Sequence, residues 1–164
     1  MIDKEVFSQK AIASAQTQYR IAWAILGNKA DCHDAMQEAL LKAWTARQTL
    51  RDEKFFSTWL IRILINECRT IQRKQSKHVW VQEACEKTAE VSLPDMDLYG
   101  AIDMLPEKLR LPFVMHHAEG YPVKEIASIL RVPAGTIKNR LLDARKRLRK
   151  ELDFHEEVQS YEAR

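Results

Sequence analysis

The sequence predicts an all-α protein, built as two small helical domains joined by a flexible linker. Three observations carry that prediction. Apolar residues recur every three or four positions through most of the chain, the spacing of one helix face. Strand-like Val/Ile/Thr alternation is scarce, and only four glycines and five prolines interrupt the 164 residues. Between two periodic blocks, residues 76–95 mix charge, Ala and Val with weak periodicity and end near Ser92-Leu93-Pro94. The expected organisation is therefore a unit at 1–75, a linker at 76–95, a second unit at 96–152 and a frayed tail at 153–164.

The first helix is expected from about Lys4 to Leu26, with Phe7, Ala11, Ala15, Tyr19, Ala22, Trp23 and Leu26 inward. Gly27-Asn28 stops it, because both residues tolerate the left-handed conformation that ends helices. Asp31 is the expected N-cap of a second helix that buries Ala35, Ala39, Leu40, Ala43 and Trp44. A polar loop, "RQTLRDEK", precedes a third helix from about Phe55 to Lys74, with Phe56, Trp59, Leu60, Ile63, Leu64 and Cys68 inside. The spacing of Phe55, Phe56 and Trp59 suits core packing better than contact with DNA. Past the linker the helical pattern returns at Met96, and Pro106 is tolerable at the start of a helix. Pro112 deletes a backbone donor and should bend or break its segment; Gly120 ends it and Pro122 starts the next.

Composition narrows the function. Apolar residues make up 46% and charged residues 30%, an ordinary balance for a water-soluble globular chain. No apolar run approaches the roughly 18–20 residues that span a bilayer, and "MIDKEVFSQK" lacks a signal-peptide pattern, so a cytoplasmic location is expected. Cys32, Cys68 and Cys85 form no CxxC pair and read as reduced thiols. A metal site from Cys32-His33 with His116-His117 is disfavoured, because adjacent helical residues point about 100° apart. No metal or cofactor is expected. Without a nucleotide-binding glycine loop or a convincing nucleophile–base pair, no catalytic residue is expected either.

The net charge of +3 is modest but unevenly spread. Residues 69–77 hold Arg69, Arg73, Lys74 and Lys77 without an acid. Residues 138–150 hold Lys138, Arg140, Arg145, Lys146, Arg147, Arg149 and Lys150 against Asp143 alone. An acidic connector separates them, which suits a polyanion held at two places. The second cluster interleaves with Ile137, Leu141, Ala144, Leu148 and Leu152. A merely solvated charge run has no use for such a stripe, whereas a helix seated on a core and offering its cationic side needs both.

Upstream, "VKEIASILRVPAGTIKNRLLDARKRL" reads as a helix-turn-helix. A short helix, Val123 to Leu130, buries Ile126, Ala127 and Leu130; Arg131-Val132 turns the chain, and a longer helix begins near Pro133. In such motifs the second helix enters the major groove. Gly135 and Thr136 lie at its N-terminal end, where free N–H groups favour phosphate. Lys138, Asn139 and Arg140 project from the first turns, where base edges are reached.

The segment "LPEKLRLPFVMHHAEGYPVKEIASILRVPAGTIKNRLLDARKRLRKEL" resembles the promoter-binding region 4 of sigma-70 family RNA polymerase sigma factors. The earlier "YRIAWAILGNKADCHDAMQEALLKAW…FFSTWLIRILINECRTIQRKQ" resembles region 2 of that family. Only these two regions are present, in that order, which resembles the extracytoplasmic-function (ECF) group. The resemblance implies a non-enzymatic factor that binds core RNA polymerase and recognises −35 and −10 promoter elements. It assigns −35 contacts to Thr136, Lys138, Asn139, Arg140, Asp143 and Arg145. It assigns −10 contacts to Asn66, Arg69, Thr70, Arg73 and Lys74, with Asn66 and Thr70 reading bases and the cations holding phosphates. The loop 47–55 corresponds to one that captures a base flipped from the opened duplex. Asp31, Asp34, Gln37, Glu38 and Leu41 are implied to dock on the basic clamp helices of the polymerase. The alternative for the acids is helix capping, since acids near a helix N-terminus are favourable anyway. A cognate anti-sigma factor, often membrane-bound in the group, is also implied.

Three positions depart from the family pattern. Pro122 stands where Ser or Thr often caps, and Arg131 where the turn often has Gly, so a reshaped turn is expected. Asp143 stands where Arg is usual; a carboxylate cannot hold phosphate but can accept from cytosine N4, which implies a different −35 preference. Two other functions fit the same residues: a stand-alone helix-turn-helix regulator, and a decoy that occupies polymerase without initiating. The connector supplies too little apolar material to lock the two units together, so they are expected to be separable.

Overall fold

The structure, a computed structural model, describes residues 2–79 and 98–162. Among the described residues there are eight α-helices and no strand. They are α1 (Lys4–Ala13), α2 (Ala15–Leu26), α3 (Lys29–Ala46), α4 (Phe56–Val79), α5 (Leu98–Met104), α6 (Glu107–Phe113), α7 (Val123–Leu130) and α8 (Ala134–Glu162). Cys85 and most of the expected linker lie outside the described residues.

The single N-terminal helix expected from the pattern is two. At Ser14 the backbone leaves helical geometry, and its hydroxyl bonds back to the Ala11 carbonyl. Gln18 Nε2 donates to that carbonyl and to Ser14 Oγ, so the corner is held by buried polar groups. Asp3 caps α1 by accepting from the Val6 amide. Gly27 closes α2 at φ +67°. The N-cap of α3 is Asn28 rather than Asp31: Asn28 Oδ1 accepts from the Asp31 amide, which places Asp31 in the first turn. The expected buried faces of α3 and α4 largely hold, with Ala35, Ala39, Ala43, Phe56, Leu60, Leu64 and Cys68 inside. Phe55 departs from the core expectation and is 55% exposed.

Pro112 does perturb its segment. The α6 hydrogen bonding widens into a π-helical turn at Val114–Ala118, and the Glu119 amide reaches back to the Val114 carbonyl. Gly120, at φ +74°, ends it. The helix-turn-helix stands as expected, but its turn is not reshaped. Arg131 adopts the left-handed conformation at φ 56°, the only non-glycine among the described residues to do so. The Val132 amide then bonds the Ala127 carbonyl, the closure a glycine would also give. On α8, Ile137, Leu141, Ala144 and Leu148 are buried as the stripe requires. The tail is corrected: the α8 backbone stays helical to Glu162.

The largest departure concerns the core. The α2–α3–α4 unit and the α5–α8 unit meet directly. One buried cluster contains Ile21, Ala24, Ile25, Ile61 and Ile65 from the first unit together with Leu111, Met115, Tyr121, Ile126 and Leu130 from the second. A second cluster seats α1 and the 47–55 loop around Phe7, Leu50 and Phe56, while a third joins α5 to α8 through Ala101, Leu105 and Leu148. The expected separability rested on each unit having its own apolar helix faces and on a connector poor in apolar material; it did not include these direct contacts.

Candidate nucleic-acid interface

Helix α8 is anchored by its apolar stripe, which decides where its polar side chains point. Asn139, Asp143, Lys146 and Lys150, at intervals of four, three and four, form the ridge farthest from the core and are all exposed. Lys138, Arg145 and Arg149 line one flank; Thr136, Arg140 and Arg147 line the other, with Thr136 and Arg140 half-buried. Among the described residues none of these cations is paired with a carboxylate. The face is therefore positive and uncompensated. Asp143 lies in its middle, on the outermost ridge.

The third helix of the N-terminal unit, α4, offers a second cationic face. Asn66, Arg69, Arg73 and Lys74 are exposed, and Thr70 is half-buried between them. The Thr70 hydroxyl donates to the Asn66 carbonyl and accepts from Arg73 Nη2 at 3.1 Å, so the two side chains hold each other's orientation. Arg69 also lines a cleft whose opposite wall includes Val132 and Arg140. The two cationic faces thus adjoin across the boundary between the units.

The 47–55 loop is two short 3₁₀ turns seated by Leu50, which is buried against the Phe7 and Phe56 cluster. Arg47 stacks on Trp44 at 4.0 Å and donates to its carbonyl. Asp52 accepts from the Lys54 amide and pairs with the Lys54 ammonium at 2.9 Å. The amide bond first, and the ammonium second, hold the Asp52 carboxyl below its usual range. The exposed Phe55 ring carries Lys54 over its face at 4.9 Å. Exposed aromatic rings beside cations are among the groups on which proteins stack unpaired bases.

On α3, Asp34, Gln37, Glu38 and Leu41 form one exposed strip, and Leu41 is 65% exposed. An uncovered leucine at the end of an acidic strip, beyond the first turn of the helix, suits a protein partner better than a helix cap. Asp31 is different. It is half-buried, and its carboxylate accepts from Asn28 and from Gln75 of α4, so it ties α3 to α4.

Burial pushes the Cys32 thiol up to about 11 and the Cys68 thiol up to about 12. His33 packs on Tyr19, and His116 Nδ1 lies 2.9 Å from the Tyr121 carbonyl. Among the described residues no group of three or more His, Cys, Asp or Glu is arranged to hold a metal ion. No helix among them is long and apolar enough to cross a membrane.

Sequence reasoning missed one polar set entirely. Glu119 accepts from Thr17 Oγ1 at 2.6 Å and Arg20 Nη1 at 3.1 Å, and Arg62 Nη2 donates to Ser128 Oγ at 2.6 Å. The signal was present in "RIAWAIL", apolar on more than one side. A helix apolar on two sides must be covered twice.

The model of sigma-70 region 2 matches residues 13–78, and that of sigma-70 region 4 matches residues 95–148. RNA polymerase sigma factor SigV of Bacillus subtilis is 32% identical over 141 residues, covering 84% of this chain and 85% of that protein. The ECF RNA polymerase sigma-E factor of Escherichia coli K12 is 30% identical over 135 residues, 71% of each chain. Among solved structures, the sigma factor RpoE in complex with the anti-sigma factor NepR from Bartonella quintana superposes with a TM-score of 0.75. It has 26% identity and covers 90% of this chain and 96% of that one. CnrH, in complex with the cytosolic domain of CnrY, superposes at 0.67 with 20% identity, covering 92% of this chain and 90% of that one, a likeness of fold.

Proposed function

The chain belongs to the extracytoplasmic-function sigma factors of the sigma-70 family, and from that premise we propose how its residues divide the work. It is a non-enzymatic initiation factor that binds core RNA polymerase and directs transcription from specific promoters. Residues 1–75 dock on polymerase and read the −10 element; residues 96–152 read the −35 element.

On the −35 side, α8 lies in the major groove. Asn139 and Asp143 face base edges from the outer ridge, while Thr136, Lys138, Arg140 and Arg145 hold phosphates on both flanks. On the −10 side, Asn66 and Thr70 read bases and Arg69, Arg73 and Lys74 hold the strand. Asp34, Gln37, Glu38 and Leu41 contact the polymerase directly. Asp31 supports them from behind by fixing the start of α3. The solved relative RpoE is bound to an anti-sigma factor, and we extend that class of partner to this chain. It acts in the cytoplasm, where polymerase and promoters are.

The observation that best supports the DNA assignment is the unpaired cationic surface of α8 above a fully buried stripe. The test is transcription in vitro by core polymerase on genomic DNA, with and without this chain. Promoter-specific transcripts that depend on the chain are expected. Promoter occupancy without transcripts, with polymerase absent, would instead mark a stand-alone regulator.

A further inference from the structure

The side of α4 that faces α3 carries one carboxylate. It is otherwise apolar, with Leu60, Leu64 and Cys68 fully buried, and α3 meets it with Ala35, Ala39 and Ala43. Glu67 belongs to this buried set, and Gln18 is the other polar residue buried in the described part of the chain. A carboxylate so placed has lost most of its water and needs a cation. Lys42 of α3 supplies it: Lys42 Nζ donates to Glu67 Oε2 at 2.8 Å, with the Glu67 side chain 10% exposed and that of Lys42 50% exposed. The same ammonium lies 3.7 Å from Glu38, one turn back on α3.

Such a pair is a poor way to hold two helices together. An apolar pair of similar volume often gives equal or greater stability, because it carries no desolvation cost. What the charged pair adds is direction. Burial of apolar surface is non-directional. Ala35, Ala39 and Ala43 offer single methyl groups, with little to fix how α4 rotates or slides against them. A charge-assisted hydrogen bond is short and directional, and fixes both. A second polar bond runs from Gln75 of α4 to the Asp31 carboxylate at the start of α3. One bond thus sits beside Asn66 and the other beside Lys74, the two ends of the polar side of α4. Between them the Thr70 hydroxyl links the Asn66 carbonyl to Arg73. A side chain that reads a base must be held to within about 0.5 Å, which calls for this kind of support.

We propose that Lys42 and Glu67 are positioning residues for −10 recognition. Their bond fixes the rotation of α4 on α3, and so the angle at which Asn66 and Thr70 meet the bases. On the sigma-factor reading, which this rests on, neither side chain touches DNA or polymerase: Glu67 is buried, and the Lys42 ammonium is held on it. The pair acts through α4 alone. Its loss lowers the ability to tell one −10 sequence from another and leaves −35 recognition as it is.

The experiment uses the full chain assembled with core polymerase. It measures affinity for fork probes whose single-stranded −10 element, taken from a promoter the chain transcribes, is either intact or changed at one base. Lys42→Met strands the buried carboxylate and should lower the ratio of the two affinities about tenfold. Affinity for a −35 duplex and for core polymerase should not change. Lys42→Arg keeps a cation on Glu67 and should keep the ratio. The deciding variant is Lys42→Met with Glu67→Met, which fills the same space without charge and serves equally if Lys42→Met alone fails to fold. Its urea midpoint should return to the wild-type value or above while the ratio stays low, because an apolar pair carries no direction. Recovery of the ratio together with stability would overturn the positioning role. A double variant that stays destabilised would overturn it too, since the pair would then hold the fold rather than aim α4. So would a full ratio in Lys42→Met, a fall in −35 or core affinity, or a reduced salt slope at an unchanged ratio, which would make Lys42 a phosphate contact. Absence of promoter-specific transcripts from the wild-type chain with polymerase would instead overturn the sigma-factor reading; intact transcription with a full ratio in the double variant overturns the positioning role alone.

Discussion

At Arg131, a β-carbon is held in a conformation that glycine adopts freely. The left-handed region costs an ordinary residue about 1–2 kcal/mol, and glycine's extra freedom in the unfolded chain recovers part of that difference. Arg131→Gly should therefore stabilise the chain by roughly 0.5–1 kcal/mol, measured by urea unfolding with an unchanged slope. Destabilisation would mean that the arginine side chain contributes a contact worth more than the strain. Asp143 invites a different measurement. It lies exposed on the outer ridge of α8, and on the proposed reading it faces bases rather than phosphates, so Asp143→Arg should change which −35 sequences are selected from randomised promoters. A uniform gain in affinity with the same preferred sequence would place the side chain over the backbone. The buried thiols set a pH dependence. Cys32 and Cys68 keep their protons up to about 11 and about 12 when folded, against 9.0 for an ordinary thiol. Above about pH 9 the unfolded chain thus binds fewer protons than the folded one, and stability falls as pH rises from there toward 11–12. Cys32→Ala with Cys68→Ala should flatten that slope in a pH series of unfolding curves; an unchanged slope would assign it to other groups.

At the scale of elements, α8 and α3 carry opposite charges, which the proposed function assigns to opposite partners. Lys138 and Arg140 project from opposite flanks of α8, and each contact with a phosphate contributes about 0.9 to the slope of log affinity against log salt. Replacing both by alanine should lower the slope for promoter binding by nearly twice that and leave polymerase binding unchanged. An unaltered slope would remove both from the DNA contact. On α3 the strip is read by sign. Asp34→Lys with Glu38→Lys should abolish binding to core polymerase while the helical circular dichroism stays the same. Glu38 does have a cation nearby, Lys42 at 3.7 Å, but Lys42 is 2.8 Å from Glu67, so reversing Glu38 does not strand it. The exposed Leu41 beyond these acids is the part of the strip that a capping role leaves unexplained.

At the scale of the molecule, the shared core makes the two units mutual stabilisers. Exposing a large apolar side chain costs about 1.5–3 kcal/mol, and cutting at the connector uncovers Ile61 and Ile65 on one fragment and Met115 and Ile126 on the other. What the chain itself determined is local. The stripe Ile137–Leu141–Ala144–Leu148, the cationic clusters and the two family motifs were all legible, because helix faces repeat at fixed spacing and charge is read directly from residue type. The split at Ser14, the cap at Asn28 and the left-handed Arg131 were not legible. Each is a contest between local alternatives a few tenths to a few kcal/mol apart, which neighbouring contacts decide. The boundary between the units was least legible of all. Ile21 and Ile61 announce only that something must cover a second face, while Thr17 and Glu119 stand 102 residues apart and carry no signal of each other. Periodicity says which side of a helix is apolar; only tertiary structure decides which helix covers it, because that choice depends on shape and polar pairing between distant segments, and no local pattern records either.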